Sequence, residues 1–223
     1  MIPPKIVANT VTEINSLIGY LIETGLVNDQ NFPVTSSSIG NIWDVSFAQS
    51  EYLSVVYSDI SYEEIYMELN ERRCYSIRFL DGGILQISFR FKANEIVKHR
   101  LAYYPSPNLI SFSQAPESYD IDELYTEIIT RKIIPFPVRF DFDCAQAQDI
   151  HHPHSHLTLG DIKNCRLPVS AALSPKWFIE FIIRCFYIIE NKDFISKMPK
   201  SELIMPPTIT QNEKKLIHLY IPY

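Results

Sequence analysis

The stretch YSIRFLDGGILQISFRFKANEIVKHRLAYY, residues 75–104, decides the fold. Apolar and polar residues alternate before and after the tight turn Asp81-Gly82-Gly83, as they do in two half-buried strands of a hairpin. A third run, Glu95 to Tyr104, ends at a proline. We therefore predict a three-stranded antiparallel meander. One face of its second strand is formed by Leu85, Ile87, Phe89 and Phe91.

A helix is predicted before this meander. Thr10 and Glu13 have the spacing of a capping box, and Gly25 favours a left-handed stop. These signals predict an N-terminal helix over residues 10–25. The polar, turn-rich residues 28–41 are expected to form a loop.

A second helix is predicted after the meander. Ser174 and Pro175 form a strong helix start, and the run 177–189 is apolar nearly all round. We therefore predict a buried helix over residues 174–190. The tail, residues 191–223, is expected to dock back onto the core.

The remaining segments complete an α+β fold. Residues 42–70 fit either helix or strand, 121–129 predict a short helix, and 164–169 predict an edge strand. We expect one domain over residues 1–223 with its sheet core in 72–170. The fold class is a twisted, mainly antiparallel sheet, a meander with added strands, packed against the N-terminal helix and the buried C-terminal helix.

Composition and motifs argue against several functions. With 6 glycines and no glycine-rich phosphate-binding motif, nucleotide-cofactor chemistry is disfavoured, and no Gly-x-Ser-x-Gly elbow marks a nucleophilic serine. The net charge of −6 argues against a protein that coats nucleic acid, but is compatible with a local basic groove. No signal peptide or membrane-length apolar run occurs, so we expect a cytoplasmic protein without membrane association. The four widely spaced cysteines predict reduced core thiols.

Two neighbouring segments carry the candidate site. In VRFDFD, residues 138–143, Arg139, Asp141 and Asp143 share one face of a predicted strand. The segment HHPHSHLTL, residues 151–159, follows. If it forms the hairpin partner, its polar residues lie opposite the first set. The candidate residues of this surface are Arg78, Arg90, Arg139, Asp141, Asp143, His152, His154, His156, Thr158 and Arg166.

Two chemistries fit this set. In a metal-independent ribonuclease, His156 and a second histidine act as base and acid, and an arginine stabilises the phosphate. The second histidine is His152, His154 or His99, and the arginine is Arg139 or Arg166. In a metal-dependent hydrolase, Asp141 and Asp143 hold a divalent ion together with His152 or His156.

A structural interpretation stands beside both. Arg139, Asp141 and Asp143 alternate as any solvated sheet face does, and cross-strand ion pairs of that kind are common. The histidine segment fits an exposed turn equally well. Arg78 and Arg90 fit a pair of surface residues that flank each other across the hairpin, and Lys98-His99-Arg100 fits an exposed basic edge.

Several of these segments, in fixed order, resemble the bacterial domain-of-unknown-function family 2290 over about residues 70–190. The matching stretches are 77–83, 86–91, 98–101, 104–108, 139–143, His152-Pro153, 155–157, 165–170 and 177–187. The resemblance implies a small cytoplasmic bacterial protein from a defence or toxin-type gene neighbourhood. Some small toxins of toxin–antitoxin pairs carry a similar arginine–aspartate strand followed by His-Pro and His-x-His, whose last position is Thr158 here.

Two functions from different classes follow. The first is a nucleic-acid-directed phosphodiesterase or ribonuclease-like effector of a defence or toxin-type system. The second is a non-catalytic interaction subunit that docks a partner protein from the same operon.

Overall fold

The structure is a computed structural model that describes residues 2–51, 60–107, 136–160, 164–187 and 193–222. Its helices are α1 (Lys5–Glu23), α2 (Tyr62–Glu71), α3 (Pro175–Phe186) and α4 (Phe194–Lys197), with a 3-10 turn at Glu213–Lys215. Its strands are β1 (Val27–Gln30), β2 (Val34–Ser38), β3 (Ile42–Ser46), β4 (Ile77–Phe79), β5 (Ile84–Lys92), β6 (Glu95–Tyr104), β7 (Val138–Asp143), β8 (Ser155–Leu159) and β9 (Leu167–Pro168).

All nine strands of the described chain belong to one open antiparallel sheet. Its order is β1-β4-β5-β6-β7-β8-β9, and β3 pairs with the outer half of β5 and carries β2. The predicted α+β class is confirmed, and so is the meander β4–β5–β6. The Asp81-Gly82-Gly83 turn works because Gly82 adopts φ +84, and Asp81 accepts a hydrogen bond from the Gly83 amide at 2.8 Å.

One face of the sheet forms the main core against α1 and α3. The four apolar residues predicted for one face of β5 are all buried there. Phe140 of β7 packs edge-on against Phe181 of α3, with ring centroids 5.3 Å apart. Burial of each such large apolar side chain contributes roughly 1.5–3 kcal/mol. The opposite face carries polar residues on β7 and β8, and a second hydrophobic cluster that includes Leu69, Tyr75 and Tyr104 covers another part of it.

The N-terminal helix starts earlier than predicted. It begins at Lys5, so the expected start at Thr10 is wrong. The Thr10 hydroxyl lies inside the helix and donates to the Ile6 carbonyl at 2.8 Å, and Glu13 is buried and accepts from the Lys176 amide at 3.0 Å. The stop at Gly25 is confirmed by its φ of +73.

The predicted loop over residues 28–41 is wrong, because β2 and most of β1 lie within it. The ambiguous segment 42–70 contains β3 and α2. Helix α2 begins with a capping box: Ser61 Oγ accepts from the Glu64 amide at 3.2 Å, and Glu64 accepts from the Ser61 amide at 2.9 Å. The helix predicted over 121–129 lies outside the described residues.

The C-terminal predictions are confirmed with shorter bounds. Ser174 Oγ accepts from the Trp177 amide at 3.4 Å and Pro175 is the first residue of α3. The edge strand is β9, two residues long, paired with β8. The tail docks back through Leu219, which forms an isolated bridge with Val169 next to this edge.

Only one cysteine behaves as a core thiol. Cys74 is buried, but Cys144 and Cys185 are exposed and Cys165 is half-buried, so burial of all four was a wrong prediction; all four thiols are free. Among the described residues, no helix is both long and apolar enough to span a membrane.

Candidate functional site

The strand register brings the two candidate segments together on the polar face of the sheet. β7 and β8 are antiparallel neighbours, with Asp141 opposite His156 and Arg139 opposite Thr158. Directly opposed residues point to the same face, so these four side chains form two adjacent cross-strand pairs. On the other side of β7, Arg100 of β6 lies opposite Asp141.

His156 is held in one orientation by its backbone surroundings. It is 5% exposed, and its Nδ1 lies 3.0 Å from the Pro153 carbonyl oxygen. A carbonyl only accepts, so Nδ1 carries the proton and Nε2 holds the lone pair of the neutral ring. Burial lowers the pKa of His156, whereas the charge of Asp141 acts in the opposite direction. The neutral ring is therefore favoured near pH 7.

His152 lies against His156. The two ring centroids are 4.9 Å apart, and Coulombic repulsion from His152 contributes to the lowered pKa of His156. The loop before β8 fixes His152 through paired backbone hydrogen bonds with Gln148, each 2.8 Å long. Its Nδ1 is buried and has no hydrogen-bond partner among the described residues.

A groove of about 760 Å³ opens beside this pair. Two histidines and Arg166 line it together with an exposed isoleucine and three amide side chains. The lining residues are Gln146, Gln148, Ile150, His151, His152, Asn164 and Arg166. His152 belongs to the lining, whereas His156 lies behind it. The charge of Arg166 also lowers the pKa of His156, so the two groups are electrostatically coupled.

Asp143 and Arg139 occupy neighbouring positions with different environments. Asp143 forms an ion pair with Lys98 at 2.9 Å. Burial alone would raise the pKa of Asp143, but Lys98 and the backbone amides of Ala145 and Gln146 together outweigh it and lower the pKa. Arg139 is half-buried, and its Nε has no hydrogen-bond partner among the described residues. Asp143 therefore acts in an ion pair and Arg139 supplies a positive charge beside Thr158.

Two of the predicted arginines lie away from the groove. Arg78 donates to Asn70 at 2.8 Å and to Asn28, near α2 and β1. Arg90 forms an ion pair with Asp44 at 2.7 Å across β3 and β5. The two arginines therefore do not flank each other, contrary to the structural interpretation.

His154 and His99 are also separated from the groove. His154 lines a different cavity of about 530 Å³, together with Phe142 and Met205. His99 is 1% exposed between the rings of Phe89 and Phe142, and its Nε2 accepts from the Leu173 amide at 3.1 Å. Burial lowers the pKa of His99 to about 4. His99 is thus a core histidine, and the predicted exposed edge at Lys98-His99-Arg100 is wrong for its last two residues, both buried.

A metal site is not formed by the described residues. Within them, no three or more His, Cys, Asp or Glu side chains are grouped so that they could hold a metal ion. Asp143 is occupied by Lys98, and Asp141 faces His156 across the strands. The residues proposed for a divalent ion therefore do not fit one. The arrangement instead combines titratable imidazoles with arginines, which suits proton transfer beside a bound anion.

Sequence reasoning missed part of this site. Arg100 and the groove-lining residues His151, Gln146, Gln148 and Asn164 were not among the candidates. Arg100 could have been found from its alternation with Lys98 once β6 is paired with β7. The amides have no such signal, because loops bring them together rather than a strand period.

Comparison with known proteins gives one relationship. No match was found among curated proteins or among solved structures. A family model described as an uncharacterized conserved protein, DUF2290, matches residues 26–221. This range includes β1 to β9, the groove and the C-terminal segment, and it extends the resemblance seen in residues 70–190. The chain therefore belongs to the DUF2290 family.

Proposed function

We propose that this protein is a nucleic-acid-directed phosphodiesterase, a ribonuclease-like effector of a bacterial defence or toxin-type system. The observation that carries the proposal is the groove in which His151, His152 and Arg166 share one cavity. Two imidazoles and a guanidinium supply a base, an acid and an anion clamp. These are the groups that RNA cleavage without a metal requires.

The proposed reaction uses the two groove-lining histidines. His152 removes the proton from an RNA 2′-hydroxyl, and the 2′-oxygen attacks the adjacent phosphorus. The bond from phosphorus to the 5′-oxygen breaks, and His151 gives that oxygen a proton. The products are a 2′,3′-cyclic phosphate and a free 5′-hydroxyl. Arg166 stabilises the charge that develops on the phosphate oxygens.

His156 and Asp141 act through His152 in this proposal. His156 is positioned by Pro153 and by Asp141, and its ring packs against His152. It therefore fixes the ring orientation of the groove-lining base. We assign His156 and Asp141 as positioning residues, with Arg139 and Arg100 as further positive charges near Asp141.

The direct test is cleavage of a labelled RNA oligonucleotide by purified protein in the presence of EDTA. His152→Ala should reduce the rate by about 10²–10⁴-fold, the usual contribution of a general acid or base. His154→Ala is the matched control, because His154 belongs to the same segment but lines another cavity. It should leave the rate unchanged. An oligonucleotide with 2′-deoxyribose throughout should remain intact.

His156→Asn tests the positioning role. The asparagine amide can still donate to the Pro153 carbonyl, so the loop is retained while the imidazole is lost. We expect a lower kcat and a displaced pH profile with little change in KM. Equal cleavage by wild type, His152→Ala and His156→Asn, or no cleavage by folded wild type, would refute the proposal.

The cellular role has its own test. Wild type and His152→Ala are induced in a naive bacterial host while growth and total RNA integrity are followed. Growth arrest with RNA fragmentation, abolished by the substitution in a protein of equal abundance, is expected. Healthy growth and intact RNA in cells that express wild type would contradict the part of the proposal in which the protein acts alone as a toxin.

A second candidate function, docking of a partner protein from the same operon, is favoured by the edge strand β2. All five residues of β2 are exposed, and among the described residues β2 pairs only with β3. Ile39 at the tip of this hairpin is 98% exposed. An open edge of this kind can accept an extended segment of another protein.

Co-expression with the neighbouring operon protein tests this second candidate. Ser36→Pro interrupts the edge, and Ile39→Asp adds a charge at its tip. Both should abolish co-purification, whereas Ile204→Asp, at an 88% exposed site elsewhere, should not. Retention of the partner by both edge variants would show that β2 is not the docking edge.

A further inference from the structure

The groove beside His152 is larger and chemically more varied than a phosphate clamp requires. Its volume of about 760 Å³ lies within the roughly 300–1,000 Å³ range of small-molecule sites. A phosphate group needs only the cationic end at Arg166. Besides His151 and His152, the remaining wall is formed by an exposed isoleucine and three amide side chains.

The amide side chains are placed to recognise hydrogen-bonding edges. Gln146, Gln148 and Asn164 are exposed, and none of their side-chain amides bonds to another described residue. A primary amide presents one acceptor and two donors in a plane, which matches the edge of a nucleobase and not the uniform acceptors of a phosphate. Two of the three lie on the loop that also carries His152.

Ile150 gives an independent indication of a ligand surface. Its side chain is 43% exposed and lines the polar groove, and its φ is +69, a conformation that β-branched residues rarely adopt. Glu213 of the C-terminal segment accepts a hydrogen bond from the Ile150 amide at 3.4 Å and so helps to hold this backbone conformation. Strain retained at an exposed apolar residue is typical of functional sites.

We propose that this groove is a nucleobase-binding subsite that gives the protein a base preference. Ile150 contacts one face of the base, Gln148 and Asn164 read its edge, and Arg166 holds the attached phosphate. The inference rests on the proposed phosphodiesterase function and adds substrate selectivity to it.

Binding of the four ribonucleoside 3′-monophosphates to wild-type protein tests the subsite without any cleavage step. One nucleotide should bind about tenfold or more tightly than the others, within the discrimination that a bidentate amide–base contact gives. Gln148→Ala and Asn164→Ala should remove this preference while inorganic phosphate still competes. Asn94→Ala, an exposed amide in the β5–β6 turn, is the matched control and should keep it.

The alternative outcomes separate the two proposals. Equal binding of all four nucleotides would identify a phosphate site only and overturn the base-reading inference. Absence of binding by all four would also overturn it. In either case, cleavage of the RNA oligonucleotide in the separate assay would leave the phosphodiesterase proposal standing, and its absence would remove both.

Discussion

At the scale of the residue, His156 is governed by neighbours that act in opposite directions. Burial and the charges of His152 and Arg166 favour the neutral ring, whereas Asp141 and the Pro153 carbonyl favour the protonated one. The pKa lies below its ordinary value because the first group of effects is larger. Because these effects oppose each other, the pKa of His156 should change measurably when one of the neighbouring charges is removed.

Asp141→Asn should lower the pKa of His156 further, because it removes the one carboxylate whose attraction raises it. The measurement is an NMR titration of the His156 ring protons. The control is Asp44→Asn, which removes a carboxylate paired with Arg90 on the same face. It should leave the pKa of His156 unchanged. An unchanged or raised pKa in Asp141→Asn would show that the strand register does not couple the two groups.

The sequence predicted this pair because alternation is a local property. Asp141 and His156 each share a face with their second neighbours, and a hairpin between adjacent segments places them opposite each other. His154 could not be separated from His156 in the same way. His154 precedes β8, so the alternation of strand side chains does not apply to it, and its side chain lines the other cavity.

At the scale of the element, the loop that carries His151 and His152 is secured by the C-terminal segment. Glu213, 1% exposed, accepts from the Ile150 amide and from the Thr210 amide at 2.9 Å. Asp149 accepts from Asn212 at 2.6 Å. Two chain regions that are far apart in sequence therefore form one unit beside the groove.

Glu213→Ala should lower the free energy of unfolding by about 1–3 kcal/mol, because it leaves backbone donors without their buried acceptor. It should also increase amide hydrogen exchange at residues 148–152. Urea denaturation and exchange measured by mass spectrometry provide the two readouts. Glu202→Ala, at an exposed position in the same tail, is the control. Unchanged exchange in the loop would show that the C-terminal segment does not secure it.

The elements differ in how far the sequence predicts them. β5 and β6 were predicted with nearly their observed bounds, because their alternating apolar residues face a core. β2 was missed because its residues, VTSSS, are all exposed and carry no apolar period. It is held by pairing with β3, which the sequence does not reveal. The Thr10–Glu13 spacing led to a wrong helix start, because a capping-box spacing also occurs by chance inside a helix, and α1 begins at Lys5.

At the scale of the whole molecule, α1 lies before the residues matched by the family model yet supplies part of the main core. Its buried apolar face is formed by Val7, Ile14, Leu17, Ile18 and Leu21. The side chain of Tyr20 also reaches the Phe194 carbonyl, to which it donates at 2.7 Å. The helix α1 therefore covers part of the sheet face that forms the main core.

Leu17→Ala should destabilise the fold by about 2–5 kcal/mol, the usual cost of a large-to-small change in a packed core. Ile22→Ala on the same helix is the matched control, because Ile22 is 41% exposed. Urea denaturation gives both values. Equal, small effects would show that α1 is not packed as described.

The buried position of His99 makes acid lability a property of this protein. Its pKa of about 4 in the fold lies below the ordinary value of 6.5, so the unfolded chain binds the proton more readily. Above pH 6.5 the ring is neutral in both the folded and the unfolded chain, and stability is lost as the pH falls from 6.5 towards 4. His99→Gln keeps an acceptor for the Leu173 amide and should flatten this part of the melting-temperature profile, whereas His154→Gln should not. Acidification below pH 6.5 would thus destabilise the protein through its core, at a residue that does not line the groove.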